Sequence, residues 1–236
     1  NSNGSLDTGF GNGGKVTTAI GSFGANELIY SIVLQPVGGE TRIVAVGGEG
    51  TFIAARYTAS GALDASFGNG GKINALFNSV IGSAESVTLA ADNKIVIAGH
   101  IGHEFSLVQL NVDGTLDTAF GSAGKVTTPV SGTNWDEATA VVRQADGKLL
   151  VGGWVYEGVS SSGNFVVLRY NADGSADTGF GTGGQVITPV AANGRSDSGR
   201  ALSLQFDERV STVRVLQAGE ASDAGGYKFA LLRYWL

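Results

Sequence analysis

The only two histidines, His100 and His103, fall in the run HIGHE, which adds Glu104. His-x2-His followed by a carboxylate is a spacing that can chelate zinc, an ion held by nitrogen and oxygen donors that needs at least three of them from the protein. His100, His103 and Glu104 are therefore the candidate metal ligands, weighed against two ordinary loop histidines. A second group of donors lies in the turns NVDGTLD from Asn111 and NADGSAD from Asn171, whose alternating oxygen side chains match half of a calcium loop. Calcium wants six or more oxygens and no bidentate Glu follows. Asn and Asp at glycine-containing turns also have local hydrogen-bonding work to do. The expectation is no cofactor, with calcium as the alternative.

GFGNGGKV from Gly9 has the glycine and lysine spacing of a phosphate-binding loop, but Val16 stands where a magnesium-binding Ser or Thr is required and no helical pattern follows. A structural connector is the better reading. There is no Gly-x-Ser-x-Gly nucleophile elbow, and cysteine is absent altogether. The neighbouring acids Asp136 and Glu137 would point to opposite faces of a strand and so form no acid pair with each other. No catalytic residue is assigned, and a binding protein is expected ahead of an enzyme.

The chain that must position these groups has 236 residues, 42% hydrophobic and only 15% charged, with 38 glycines, a composition suited to tightly turning β-structure. Its formal charge of -6 and the absence of any basic run exclude nucleic acid as a partner and disfavour anionic lipid. No run approaches the ~18 apolar residues that a membrane-spanning helix needs. Cysteine and methionine both number 0. That fits life outside the cytoplasm, and a chain with no initiator methionine reads as processed from a longer precursor. An extracellular, cell-surface or periplasmic location is expected.

A phrase recurs four times: LDTGFGNGGKV from Leu6, LDASFGNGGKI from Leu63, LDTAFGSAGKV from Leu116 and ADTGFGTGGQV from Ala176. Repeats of this length signal solenoids or propellers. After Gly124 the third unit reads KVTTPV, EATAVVRQ, KLLVGGWV and NFVVLRY, four strand candidates with an Asp-Gly hairpin signal between the second and third. Several strands are continuously apolar, as expected when both faces are covered. The predicted fold is all-β: one domain, 1–236, a β-propeller of four four-stranded blades, with one blade per repeat of about 57 residues. The units run 6–62, 63–115, 116–175 and 176–236. Both end blades read as complete, and residues 1–5 should close the ring as a connector onto the last blade.

The combination of LDxxFGxxGKV, a DGK hairpin inside an apolar run, and F-x-L-x-RYNxDGS resembles the bacterial delta-sixty repeat family over essentially the whole chain. That resemblance implies tandem repeats in an extracellular bacterial protein and carries no common activity. The chain departs from the pattern at Gln109, where Arg is usual, at Ser60 in place of the turn Asp, and at Asp207-Glu208-Arg209 in place of a DGK turn.

Comparing the units places the repeated phrases on one face of the ring and the dissimilar loops on the other. Recognition tends to reside in loops on a rigid scaffold, with aromatic and Arg anchors. Trp135, Asn134, Asp136, Trp154, Tyr156, Arg195 and Tyr227 are the candidate ligand-binding residues. For Trp154, core packing is the even alternative. The partner class is a protein or glycan. The alternatives are an extracellular hydrolase or metal-dependent enzyme on the same face, and an architectural segment of a large surface protein.

Overall fold

Runs rich in Val, Ile, Leu and Phe, separated by glycine turns, form fifteen strands in a computed structural model that describes residues 2–20, 27–48, 50–74, 76–77, 82–131, 135–156, 163–191, 196–208, 210 and 212–236. A 3-10 turn, Ala91–Asn93, is the sole helical element among them. Four antiparallel sheets follow in chain order. Sheet one holds β1 (Ile29–Val37), β2 (Glu40–Gly47), β3 (Ile53–Tyr57) and β4 (Lys72–Ile73). Sheet two holds β5 (Gly82–Leu89), β6 (Ile95–Ile101), β7 (Glu104–Leu110) and β8 (Lys125–Thr128). Sheet three holds β9 (Asp136–Arg143), β10 (Leu149–Tyr156), β11 (Gly163–Tyr170) and β12 (Gln185–Thr188). Sheet four holds β13 (Asp197–Asp207), β14 (Thr212–Asp223) and β15 (Gly226–Trp235). The innermost strands pack in series, β1 on β5, β5 on β9 and β9 on β13, so the sheets stack as successive blades.

The blades do not coincide with the repeats. Sheets one to three each take three strands from one unit and the outermost strand from the phrase that opens the next: β4 pairs with β3, β8 with β7 and β12 with β11. The reason is local. After β3 the chain turns, and the phrase folds straight back on the same strand, with the Asp64 N–H donating to the Arg56 carbonyl and the Arg56 N–H to Gly71. The free edge of the RY strand therefore captures the following segment before it reaches the next blade. The glycine after each Phe makes the fold-back feasible. Gly11, Gly68, Gly121 and Gly181 have φ between 53° and 57°, and a Cβ there would collide with the carbonyl four residues on.

The phrases are anchored by buried rings and ion pairs. Phe67, Phe120 and Phe180 are buried, and the first N–H after each of the first two donates 2.8 Å to the next repeat's turn, Gly68 to Asp113 and Gly121 to Asp173. Arg56 lies over the Phe67 ring and its Nε donates 2.9 Å to Asp64, an arrangement repeated by Arg169, Phe180 and Asp177. In unit two, Gln109 takes the place of the Arg and donates 2.6 Å to Asp117. Burial works against the Asp64 anion. Hydrogen bonds from the Ser66 hydroxyl and N–H, the charge of Arg56 and a hydrogen bond from Arg42 overcome it and hold the carboxyl at about 2.

Strand exchange changes the expected ends. Sheet four has three strands among the described residues, where a four-stranded blade was expected; in the other three sheets the outermost strand comes from the following phrase. Residues 10–18 contact sheet one: the Gly11 N–H donates to Ser60 and the Tyr57 hydroxyl to Thr18, at 2.8 and 2.9 Å. No packed interface joins sheet one to sheet four among the described residues, and β1, β13 and β15 leave large apolar side chains exposed. The sheets form an open arc in place of the expected closed ring.

Candidate functional site

The C-terminal ends of β6, β8 and β10 and the starts of β7, β9 and β11 lie at the edge of the sheets opposite the repeated phrases. At the start of β9 the Asp136 carboxylate is buried and accepts the N–H groups of Val130 and Ser131 at 2.9 and 2.8 Å. Asp197 fastens the corresponding loop of sheet four, accepting from Val190 and Ala191, and Glu27 does so for Ile20 in sheet one. Asp136 is thus a loop fastener whose carboxylate faces inward. Its neighbour Trp135 is left outside, 51% exposed, with its ring edge-on to that of His103 at 4.1 Å. The backbone knits this pair to a second one. The Asp136 N–H donates to His103, the Tyr156 N–H donates to Trp135, and the Tyr156 ring meets Trp154 at 5.0 Å. Two ring pairs, His103 with Trp135 and Trp154 with Tyr156, are thus linked through the backbone across sheets two and three. Tyr227, also exposed, lies away from them on the β14–β15 hairpin, at the open face of sheet four. Asn134 and Arg195 lie outside the described residues.

A second cluster faces the inner wall of the arc. Each innermost strand carries one bulge, at Tyr30, Glu85, Thr139 and Arg200, and bulges re-aim side chains. Glu85 meets His100 and Glu137, each offering one ligand atom, all within 4.8 Å of one another. Glu137 points away from its neighbour Asp136, as strand alternation requires. Burial raises the proton affinity of both Glu85 and Glu137. The Glu85 charge adds to the effect on Glu137, while hydrogen bonding from Ser83 opposes it for Glu85 and Arg200 opposes it for both. Burial, with the His103 charge behind it, lowers that of His100, whose Nδ1 is enclosed without a hydrogen-bond partner among the described residues. A neutral imidazole beside two reluctant carboxylates can share a proton among them. Once deprotonated, it can take a divalent cation through mixed nitrogen and oxygen donors.

Of the expected set His100, His103 and Glu104, only His100 belongs to this cluster, since His103 turns to Trp135. Glu85 was not singled out in the sequence because its partners come from other strands. A lone acid inside the strand SAESVTLA was the available signal. The calcium-like turns use their oxygens internally: Asp113 Oδ1 accepts from the Thr115 N–H and hydroxyl at 3.0 and 2.7 Å, and Asp173 binds Ser175 the same way.

A family described as a domain of unknown function (DUF5122) β-propeller matches three segments, residues 37–67, 90–120 and 144–180, so tandem β-propeller-like repeats are present. Each segment ends within a repeated phrase. No curated protein matches the chain. Among solved structures, an endo-arabinase from Bacteroides thetaiotaomicron VPI-5482 is similar at 12% identity and a TM-score of 0.40, over 93% of this chain and 80% of the other. The tail fiber of Staphylococcus aureus phage P68 is similar at 10% identity and a TM-score of 0.32, over 92% of this chain, which spans 51% of that one. No helix among the described residues is long and apolar enough to cross a membrane.

Proposed function

We propose that the chain is a non-catalytic recognition module of a secreted bacterial protein, holding a glycan or protein through the loop-bearing face with Trp135 as anchor. The observation that carries this reading is the half-exposed indole of Trp135, propped by His103 on a loop that Asp136 fastens to the sheet. A large ring held rigid before contact loses little conformational freedom on binding, which is why Trp dominates contact energies. The lack of cysteine and methionine supports an extracellular setting. The test is a glycan array and a pull-down with labelled chain, followed by titration of whatever is retained. Trp135→Ala should weaken binding about tenfold or more at an unchanged melting temperature. Equal affinity in wild type and variant would sink the reading.

The Glu85–His100–Glu137 cluster supports a second reading, a metal-dependent hydrolase on the inner wall. Calorimetric titration with zinc should then show one site that Glu85→Gln and Glu137→Gln each abolish, and a hydrolase screen should lose its signal with chelator. Absence of zinc uptake by the wild-type chain argues for the recognition module alone.

A further inference from the structure

The repeated phrases are not all closed by the same side chains. At the phrase that opens with Leu63, Arg56 is buried and its guanidinium is engaged from every side. Nε donates 2.9 Å to Asp64, Nη1 donates 3.0 Å to Gln35 Oε1 and also to the Val112 carbonyl of the next turn, and Nη2 donates 3.0 Å to the Ser66 hydroxyl. Its plane covers the Phe67 ring at 4.6 Å. At the junction of sheets two and three, three members of this set are shorter. By strand register and by offset from the phrase Asp, Gln109 stands for Arg56, Ala90 for Gln35 and Ala119 for Ser66. These shorter side chains border a cavity of about 340 Å³, together with Phe120 and the turn residue Ala172, the counterpart of Val112.

We propose that this cavity binds an alkylguanidinium, the group that the chain itself supplies at the flanking phrases from Arg56 and Arg169. The decisive side chain is Gln109, 5% exposed. Its Nε2 donates 2.6 Å to Asp117. A carboxylate only accepts, so this bond fixes the orientation of the amide and leaves Oε1 as its other polar atom. That Oε1 is enclosed without a hydrogen-bond partner among the described residues, a costly state for a buried acceptor. A guanidinium presents several N–H donors in one plane and a face that stacks on aromatic rings. It can donate to Gln109 Oε1 and lie against Phe120, with Asp117 as counter-charge.

The charges around the cavity agree. Asp92, Asp117 and Asp173 outnumber Lys94 and Arg143 by one, which suits a monocation. Lys94 donates 2.8 Å to Asp117 and is no obstacle, because Asp177 accepts from Lys148 at 2.8 Å and from Arg169 at 2.6 Å on the same oxygen. Nor does Arg143 take the role of Arg56, for Asp117 accepts from Lys94, Gln109 and the Ala119 N–H. The volume falls at the lower end of the ~300–1,000 Å³ of small-molecule sites. This site lies at the edge of the sheets that carries the repeated phrases, away from Trp135, and is independent of the recognition proposed there.

Titration of the nitrogen-15-labelled chain with methylguanidinium chloride, followed by NMR, should shift the Gln109 side-chain amide and the Ala119 N–H saturably, with a dissociation constant of about 1 mM for so small a ligand. Butylammonium has the charge without the planar fork and should bind at least about tenfold more weakly. Gln109→Arg brings in the tethered group, so it should melt above wild type and show no saturable shift. Ala119→Ser restores the acceptor that Ser66 provides to Arg56 and should tighten binding about threefold to tenfold. Agmatine and the peptide acetyl-Gly-Arg-Gly-amide separate the sources: binding of both marks a partner's arginine side chain as the ligand, and binding of agmatine alone a free alkylguanidine. No saturable shift up to about 20 mM methylguanidinium, an undiminished response in Gln109→Arg, or equal binding of butylammonium would each overturn the proposal.

Discussion

Phe120→Ala tests whether the phrases hold the blades together. The Phe120 ring is buried in the cluster of Leu107, Val141 and Leu149, and the turn at Gly174 packs directly against it. An aromatic side chain removes ~150–250 Å² from water, and at ~25 cal/mol per Å² its complete burial contributes about 4 to 6 kcal/mol. Alanine retains a small part of that, while the cavity left behind adds a further cost, so about 3 to 5 kcal/mol should be lost. At roughly 2 to 4 °C per kcal/mol for a chain of this size, the melting temperature should fall by about 6 to 20 °C. Urea unfolding followed by circular dichroism measures the loss, with Trp135→Ala as the internal control, since that half-exposed ring should cost under about 1 kcal/mol. A Phe120→Ala loss below about 1 kcal/mol, or one equal to that of the control, would refute the anchoring role.

Asp64→Asn leaves the guanidinium of Arg56, 1% exposed, without its counter-charge, and should cost about 3 kcal/mol near neutral pH. Because the folded Asp64 carboxyl sits at about 2, below its unfolded value, its contribution is present above about pH 4 and fades as pH falls toward 2. The gap in melting temperature between wild type and variant should therefore narrow on acidification, and a gap independent of pH contradicts the pairing. Glu137→Gln works in the opposite sense. A carboxyl whose proton affinity is raised on folding weakens the fold as pH climbs above its unfolded value, so the neutral amide should melt higher than wild type at pH 7 and show no advantage near pH 4. A variant less stable than wild type at neutral pH would show that the Glu137 charge is needed where it stands.

The alternation of Asp136 and Glu137 was readable from a strand's two-residue period, and so was the division of the arc into a face of repeated turns and a face of dissimilar loops. Trp135 stood out because an indole flanked by polar residues has no core to enter. Glu85 could not be found this way. It meets Glu137 through the packing of β5 on β9, and no spacing along the chain encodes which residues face each other across two sheets. His103 was legible as a ligand type but not as the prop for Trp135, for the same reason.

By itself the sequence determined that four like units would each make antiparallel strands with tight glycine turns, because Asp-Gly pairs, apolar runs and positive-φ positions are local properties. Only the tertiary structure decided that the first three blades each borrow their last strand from the following repeat, and that sheets one and four share no packed interface among the described residues. Strand pairing is settled by which free edge a segment meets first, a question of three-dimensional proximity that identical local patterns answer in more than one way.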